Sequence, residues 1–198
     1  MELNSLQALY INELKDLYSA EKMLLKALPK MAKAASHEEL AANFTEHARV
    51  TERQVERLER IFADLGESPR GKKCVGMEGL IDEAQELLQE KPEPDVLDAG
   101  LIAKAQHVEH YEIAGYGTVR TYAEQLGFGK HAELLQQTLD EEGEADKRLS
   151  ALAESSINLE AETADGGAEP TETSRGGRSA GGSRSRTTRS RSASRARR

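Results

Sequence analysis

Four stretches of this chain repeat apolar residues in alternating steps of four and three, the spacing that gives a helix one continuous inward stripe. They are Tyr10, Leu14, Leu17, Glu21, Leu24, Leu28 and Met31; Leu40, Phe44, His47, Thr51, Gln54, Leu58, Ile61 and Leu65; Leu101, Ala105, Val108, Glu112, Gly115, Val119, Tyr122 and Leu126; and Leu135, Thr138, Glu142, Ala145, Leu149 and Leu152. None is apolar throughout. Glutamate breaks three of them near the middle, at Glu21, Glu112 and Glu142, and the second carries His47, Thr51 and Gln54 at the matching depth. A chain with four such stripes is constrained to an all-α bundle, and packing its helices side by side brings the four breaks into one polar layer.

Local signals place the helices. The first is predicted over 4–35. Ser36, with Glu39 three residues on, reads as the N-cap of a second helix that runs to about residue 65 and stops at Gly66. A short helix over 77–90 follows a segment containing Pro69, Arg70, Lys72, Lys73 and Cys74, and Pro92 and Pro94 end it. The connection from the second helix to the next long one is about 30 residues, enough to cross the bundle end to end. The last two helices are expected over 95–126, ended by Gly127 and Gly129, and over 130–158. The architecture predicted is two antiparallel hairpins joined by a long crossover that holds the short extra helix.

A carboxylate in a helical seam is costly unless it is paired or bound to a metal, and no Lys or Arg occupies a seam position. Glu109 lies one turn before Glu112, about 60° around the axis, so both can reach one interior point. Asp146 follows Glu142 by one turn. Matched glutamates on several helices of a bundle, with imidazole nearby, are the arrangement of dinuclear carboxylate proteins, and hard oxygens plus nitrogen suit iron or manganese. The expected metal ligands are Glu21, Glu109, Glu112 and Glu142, with Asp146 and His47 beside them, for two Fe or Mn per chain or a single occupied position. The alternative is a polar layer that only fixes packing register. His110 reads as surface, and Cys74 as a small buried hydrophobe. Tyr18, Tyr111, Tyr116 and Tyr122 read as packing residues with a polar tip, with a relay to the metal as the other role open to them.

The net charge of −8 conceals two unlike parts. Residues 175–198 contain nine arginines (Arg175, Arg178, Arg184, Arg186, Arg189, Arg191, Arg195, Arg197 and Arg198) and no acid or lysine, so taking their charge away leaves −17 on residues 1–174. Ser, Gly, Arg and Thr without apolar periodicity cannot build a core. The domains expected are therefore a bundle over 1–158 and a disordered tail over 159–198. The tail is suited to non-specific contact with DNA or another polyanion through phosphates. There is no apolar run of membrane-spanning length, no signal-peptide pattern at the start, and one cysteine, which excludes an intramolecular disulfide. A cytoplasmic protein without a membrane partner is expected.

Several words of the sequence carry a resemblance. These are L-Y-S-A-E-K (17–22), C-V-G-M-E-G-L-I-D-E-A (74–84), V-E-H-Y-E-I-A-G-Y-G-T (108–118), A-E-Q-L-G (123–127) and L-L-Q-Q-T-L-D-E-E (134–142) with Asp146. Over about residues 4–155 the chain resembles the YciE/YciF family of ferritin-like proteins. The resemblance implies a ferritin-like bundle, a homodimer, a role in stress, a di-iron site and ferroxidase-type activity using dioxygen or hydrogen peroxide. A stress-induced helical dimer that catalyses nothing and associates with nucleic acid is the rival expectation. The chain departs from the wider ferritin-like pattern in two helices. Thr51 and Gln54 stand where Glu-x-x-His is usual, with Arg49 and Val50 beside them in place of acids. Ala145 stands where the last helix has His, which leaves Asp146 as the substitute.

Overall fold

The computed structural model describes residues 3–164, and all regular structure among them is helical. The helices are α1 (Leu6–Ala34), α2 (Glu38–Leu65), α3 (Val75–Glu90), α4 (Pro94–Gln125), α5 (Gly129–Leu152) and α6 (Asn158–Ala164), with a π-helical turn, Ala153–Ile157, joining the last two. Helix thus continues past the boundary at 158 expected from composition. The arginine-rich segment lies outside the described residues. No helix among those described is long and apolar enough to cross a membrane.

Short turns make α1–α2 and α4–α5 antiparallel hairpins. Across the bundle α1 packs on α4 and α2 on α5, and α3 lies over α1 and α4. Gly66 ends α2 in the left-handed conformation, φ 67°, which glycine adopts without steric cost. Gly127, φ 78°, does the same after α4, whereas Gly129 opens α5 and stops nothing. Pro94 sits at the start of α4, where its missing N–H is no loss.

The predicted stripes of α1 and α5 are buried throughout, and that of α2 is buried from Leu40 to Ile61. In α4 the outcome differs. Leu101, Ala105, Val108, Glu112 and Val119 are buried, but Gly115, Tyr122 and Leu126 are only half-buried, and Asp98, Ile102, Glu109, Tyr116 and Ala123 are buried instead. Because α4 touches α1, α3 and α5, it buries two adjacent stripes, and a straight helix drifts about 20° per heptad from the stripe its sequence suggests. Gly115 faces α1 so closely that a β-carbon there would lie 2.7 Å from Leu17 Cδ2.

The start of α2 also differs from expectation. Ser36 is not its cap. The Ser36 amide and hydroxyl and the His37 amide all donate to the carboxylate of Asp98, at 2.6–3.2 Å. An acid from α4 therefore caps α2 across the bundle, where both the free N–H groups and the helix dipole favour it.

The core falls into two apolar clusters. One gathers Leu24, Leu28, Met31, Leu40, Phe44, Met77, Leu101 and Leu149, and the other Tyr10, Leu14, Leu17, Leu58, Ile61, Phe62, Val119 and Leu135. The residues that break the predicted stripes lie between them in sequence on every long helix of the bundle.

Candidate metal centre

One side chain from α2 and three from α4 and α5 converge in that layer. His47, Glu109, Glu112 and Glu142 each present a ligand atom within 4.8 Å of one another. His47 Nε2 lies 3.3 Å from Glu109 Oε1 and 3.7 Å from Glu142 Oε2. Glu112 and Glu142 are 0% exposed, Glu109 2% and His47 7%.

Their hydrogen bonding is incomplete. Neither oxygen of Glu112 has a donor, and one oxygen each of Glu21, Glu109 and Glu142 lacks one, as does His47 Nε2. Buried polar groups in folded proteins are almost always partnered, and these unpartnered atoms gather on side chains that could hold a metal ion. Burial drives the Glu112, Glu142 and Glu21 carboxyls well above the usual carboxylate range, and their mutual repulsion adds to it. Burial likewise raises Glu109, to about 8. Burial lowers His47 to about 4, with the nearby Arg148 charge acting in the same direction, so its imidazole is neutral near pH 7 and can serve as a ligand. Without a cation the site can relieve its repulsion only by holding protons.

Of the six predicted ligands, four are in this set. Glu21 is wholly buried and its charge acts on Glu112 and Glu109, but one of its oxygens accepts from the Tyr116 hydroxyl. It adjoins the four and is not one of them. Asp146 is not brought in. Its carboxylate turns outward, 3.2 Å from Gln106 Nε2 and 3.3 Å from His110 Nε2. One turn along α5 from Glu142, the chain has rotated far enough for a short side chain to miss the centre. Thr51 does not bond the His47 ring; its hydroxyl donates to the His47 backbone carbonyl, 3.0 Å away.

Two residues near the cluster, Tyr116 and Arg57, were not legible as parts of it, and Gln54, placed at the matching depth, was legible only as a polar break. Tyr116, read as packing, holds Glu21. Gln54 donates to Glu142 and also reaches Glu141, 3.3 Å away. Arg57 grips Glu141 with two bonds of 2.6 and 2.7 Å and donates to Thr138 at 3.1 Å, tying α2 to α5 beside the site. Such contacts orient the carboxylates behind them. The one sequence signal was the polar step Thr51–Gln54 within an apolar stripe.

Comparison with known proteins bears on the family and the fold. A family model described as a domain of unknown function, DUF892, matches residues 5–162. Protein YciF of Escherichia coli (strain K12) is 45% identical over 163 residues, which span 82% of this chain and 98% of that protein. The crystal structure of that stress protein superposes with a TM-score of 0.76, covering 79% of this chain and 99% of the other. YcfI of Rhodopseudomonas palustris is 41% identical, with a TM-score of 0.73 over 75% of this chain and 95% of its own. A Xanthomonas campestris protein at 22% identity, TM-score 0.62, covering 79% and 95% of the two chains, shares the fold.

Proposed function

The chain belongs to the YciF family, and we propose that it is a ferritin-like carboxylate protein that holds iron or manganese in its polar layer and oxidises ferrous iron or consumes hydrogen peroxide under stress. The observation that carries this reading is Glu112, fully buried with both oxygens unpartnered among three further ligand-bearing side chains. The donor set, three carboxylates and one neutral imidazole, suits iron or manganese. His47, Glu109, Glu112 and Glu142 would hold a first ion, and Glu21 beside them supplies a carboxylate for a second. A bound ion of this kind supplies one-electron chemistry to dioxygen or peroxide. The protein's own part is to exclude water with two apolar clusters, to orient Glu142 through Gln54 and Glu21 through Tyr116, and to give up protons when a cation arrives.

The test is anaerobic reloading of metal-free protein with ferrous iron, followed by dioxygen or peroxide. Up to about two irons per chain are expected, as in two-metal carboxylate bundles, with an absorbance change on oxidation. Stoichiometric binding that survives Glu112→Ala together with Glu142→Ala would refute the site. The proposal also includes a homodimer, checked by mass in solution, and non-specific polyanion binding through the arginines at 175–198. If roughly six of them meet phosphates, affinity for duplex DNA should fall with a log–log salt slope of about −5. Truncation after Thr173 should abolish it, and equal retardation by the truncated chain would refute it.

A further inference from the structure

The four sides of the bundle are not equally closed. Two are the close hairpin packings α1–α2 and α4–α5. The α1–α4 side is covered by α3 and sealed by Leu17 against Gly115. On the α2–α5 side the two helices pack less closely, and a groove of about 510 Å³ runs between them. Short side chains shape it, with Ala42 and Val50 on α2 and Ala145 on α5. His47 lines the same groove while its Nε2 faces Glu109 and Glu142. The imidazole is therefore shared between the groove and the cluster, and it is the least buried of the four ligand-bearing residues.

We propose that this α2–α5 groove is the loading port through which a hydrated divalent cation reaches the buried carboxylates, with His47 as its first inner ligand. The inference rests on the metal-binding reading above and adds the route and the charge class of what travels it. Five acids line the groove against two arginines, Arg53 and Arg148. Three of the acids carry ion pairs, Glu46 with Arg49, Glu141 with Arg57 and Glu144 with Lys147, whereas Glu39 and Asp140, exposed at the mouth, carry none among the described residues, so an entering cation meets carboxylate first. The second observation that points to a ligand is His47 itself, more than nine-tenths buried, with Nε2 lacking any hydrogen-bond partner. At one end the groove is bounded by the Arg57–Glu141 fork, which holds the helices together where apolar side chains do not. Ala145, where the wider ferritin-like pattern has a histidine, lines the groove, and a larger side chain at that position would narrow it over His47.

The full metal-free chain is mixed anaerobically with cobalt(II), and the rise of its visible absorption is followed in stopped flow. Val50→Trp narrows the groove from a half-buried position. Asp140→Lys with Glu144→Lys reverses the charge at the mouth, and Glu124→Lys with Glu133→Lys makes the same change on the α4–α5 face. The port predicts that both groove variants load about tenfold more slowly at low ionic strength with unchanged final stoichiometry, that added salt removes the charge effect, and that the α4–α5 control loads like the unmodified chain. Groove variants that load as fast as the control overturn the port and leave the metal site standing. An unmodified chain that binds no cobalt overturns both.

Discussion

Helix α4 buries three carboxylates, and the protein treats two of them, Asp98 near its start and Glu112 near its middle, in opposite ways. Asp98, 2% exposed, accepts from two amides and a hydroxyl at the start of α2. Glu112, 0% exposed, accepts from nothing. Burial of an acid is therefore not in itself a sign of chemistry. A structural acid is placed where the fold has spare donors, and a helix N-terminus offers several. An acid placed among other acids, with donors withheld, costs stability that only a proton or a cation can restore. The contrast separates the packing account of the polar layer from the metal account, because a layer serving only register would be partnered as Asp98 is.

The sharpest way to break the comparison is to remove ligands from one region only. Glu109→Ala with Glu112→Ala should lower ferrous or manganous affinity at least a hundredfold, on the order of 3 kcal/mol, as read by equilibrium dialysis, while far-ultraviolet circular dichroism stays helical. Retained affinity would mean that Glu112 is as structural as Asp98.

The next effect concerns pH. Carboxyls whose folded-state pKa values are raised, Glu109 to about 8 and Glu112, Glu142 and Glu21 in the same direction, bind protons more tightly folded than unfolded. Their stabilising protonation is fully present below the unfolded value near 4.5 and is lost as pH rises through the folded values. Metal-free protein should therefore lose stability between about pH 5 and pH 9. The cost is about 1.4 kcal/mol for each pH unit by which a carboxyl is displaced. Glu112→Gln should flatten this slope, and saturating manganese should remove most of it. Denaturant melts at several pH values measure both. A flat profile for the metal-free wild type would contradict the account.

The smallest effect lies at Asp98. Asp98→Ala strips the cap from α2 and should cost about 2 kcal/mol of unfolding free energy, with metal stoichiometry unchanged. Loss of metal binding at equal foldedness would show that the two regions are coupled after all.

What was legible in the sequence, and what was not, follows the same division. The stripes of α1, α2 and α5, and that of α4 as far as Glu112, exposed their own interruptions, because a helix's inward face is written in its periodicity. Glu21, Glu112, Glu142 and His47 were found in that way, and Glu109 by its one-turn offset. Contacts that depend on how one helix is rotated against another were not. Tyr116 sits on the second buried stripe of α4 and holds Glu21, whereas Tyr122, on the expected stripe, is half-buried. Asp98 carries no sequence signal of its role, because its donors come from the start of α2 packed against it. Asp146 shares a helical face with Glu142, but only the packing of α4 against α5 decides that it meets Gln106 and His110. The open side between α2 and α5 could not be read from either helix alone.

The most direct measurement of the central claim is anomalous X-ray diffraction from crystals of the full chain equilibrated with manganese or, anaerobically, ferrous iron. The account predicts an anomalous peak ligated by His47, Glu109, Glu112 and Glu142, with Glu112 changing from unpartnered to coordinating. Crystals that show no peak there, with the oxygens of Glu112 hydrogen-bonded within the protein as those of Asp98 are, would contradict it.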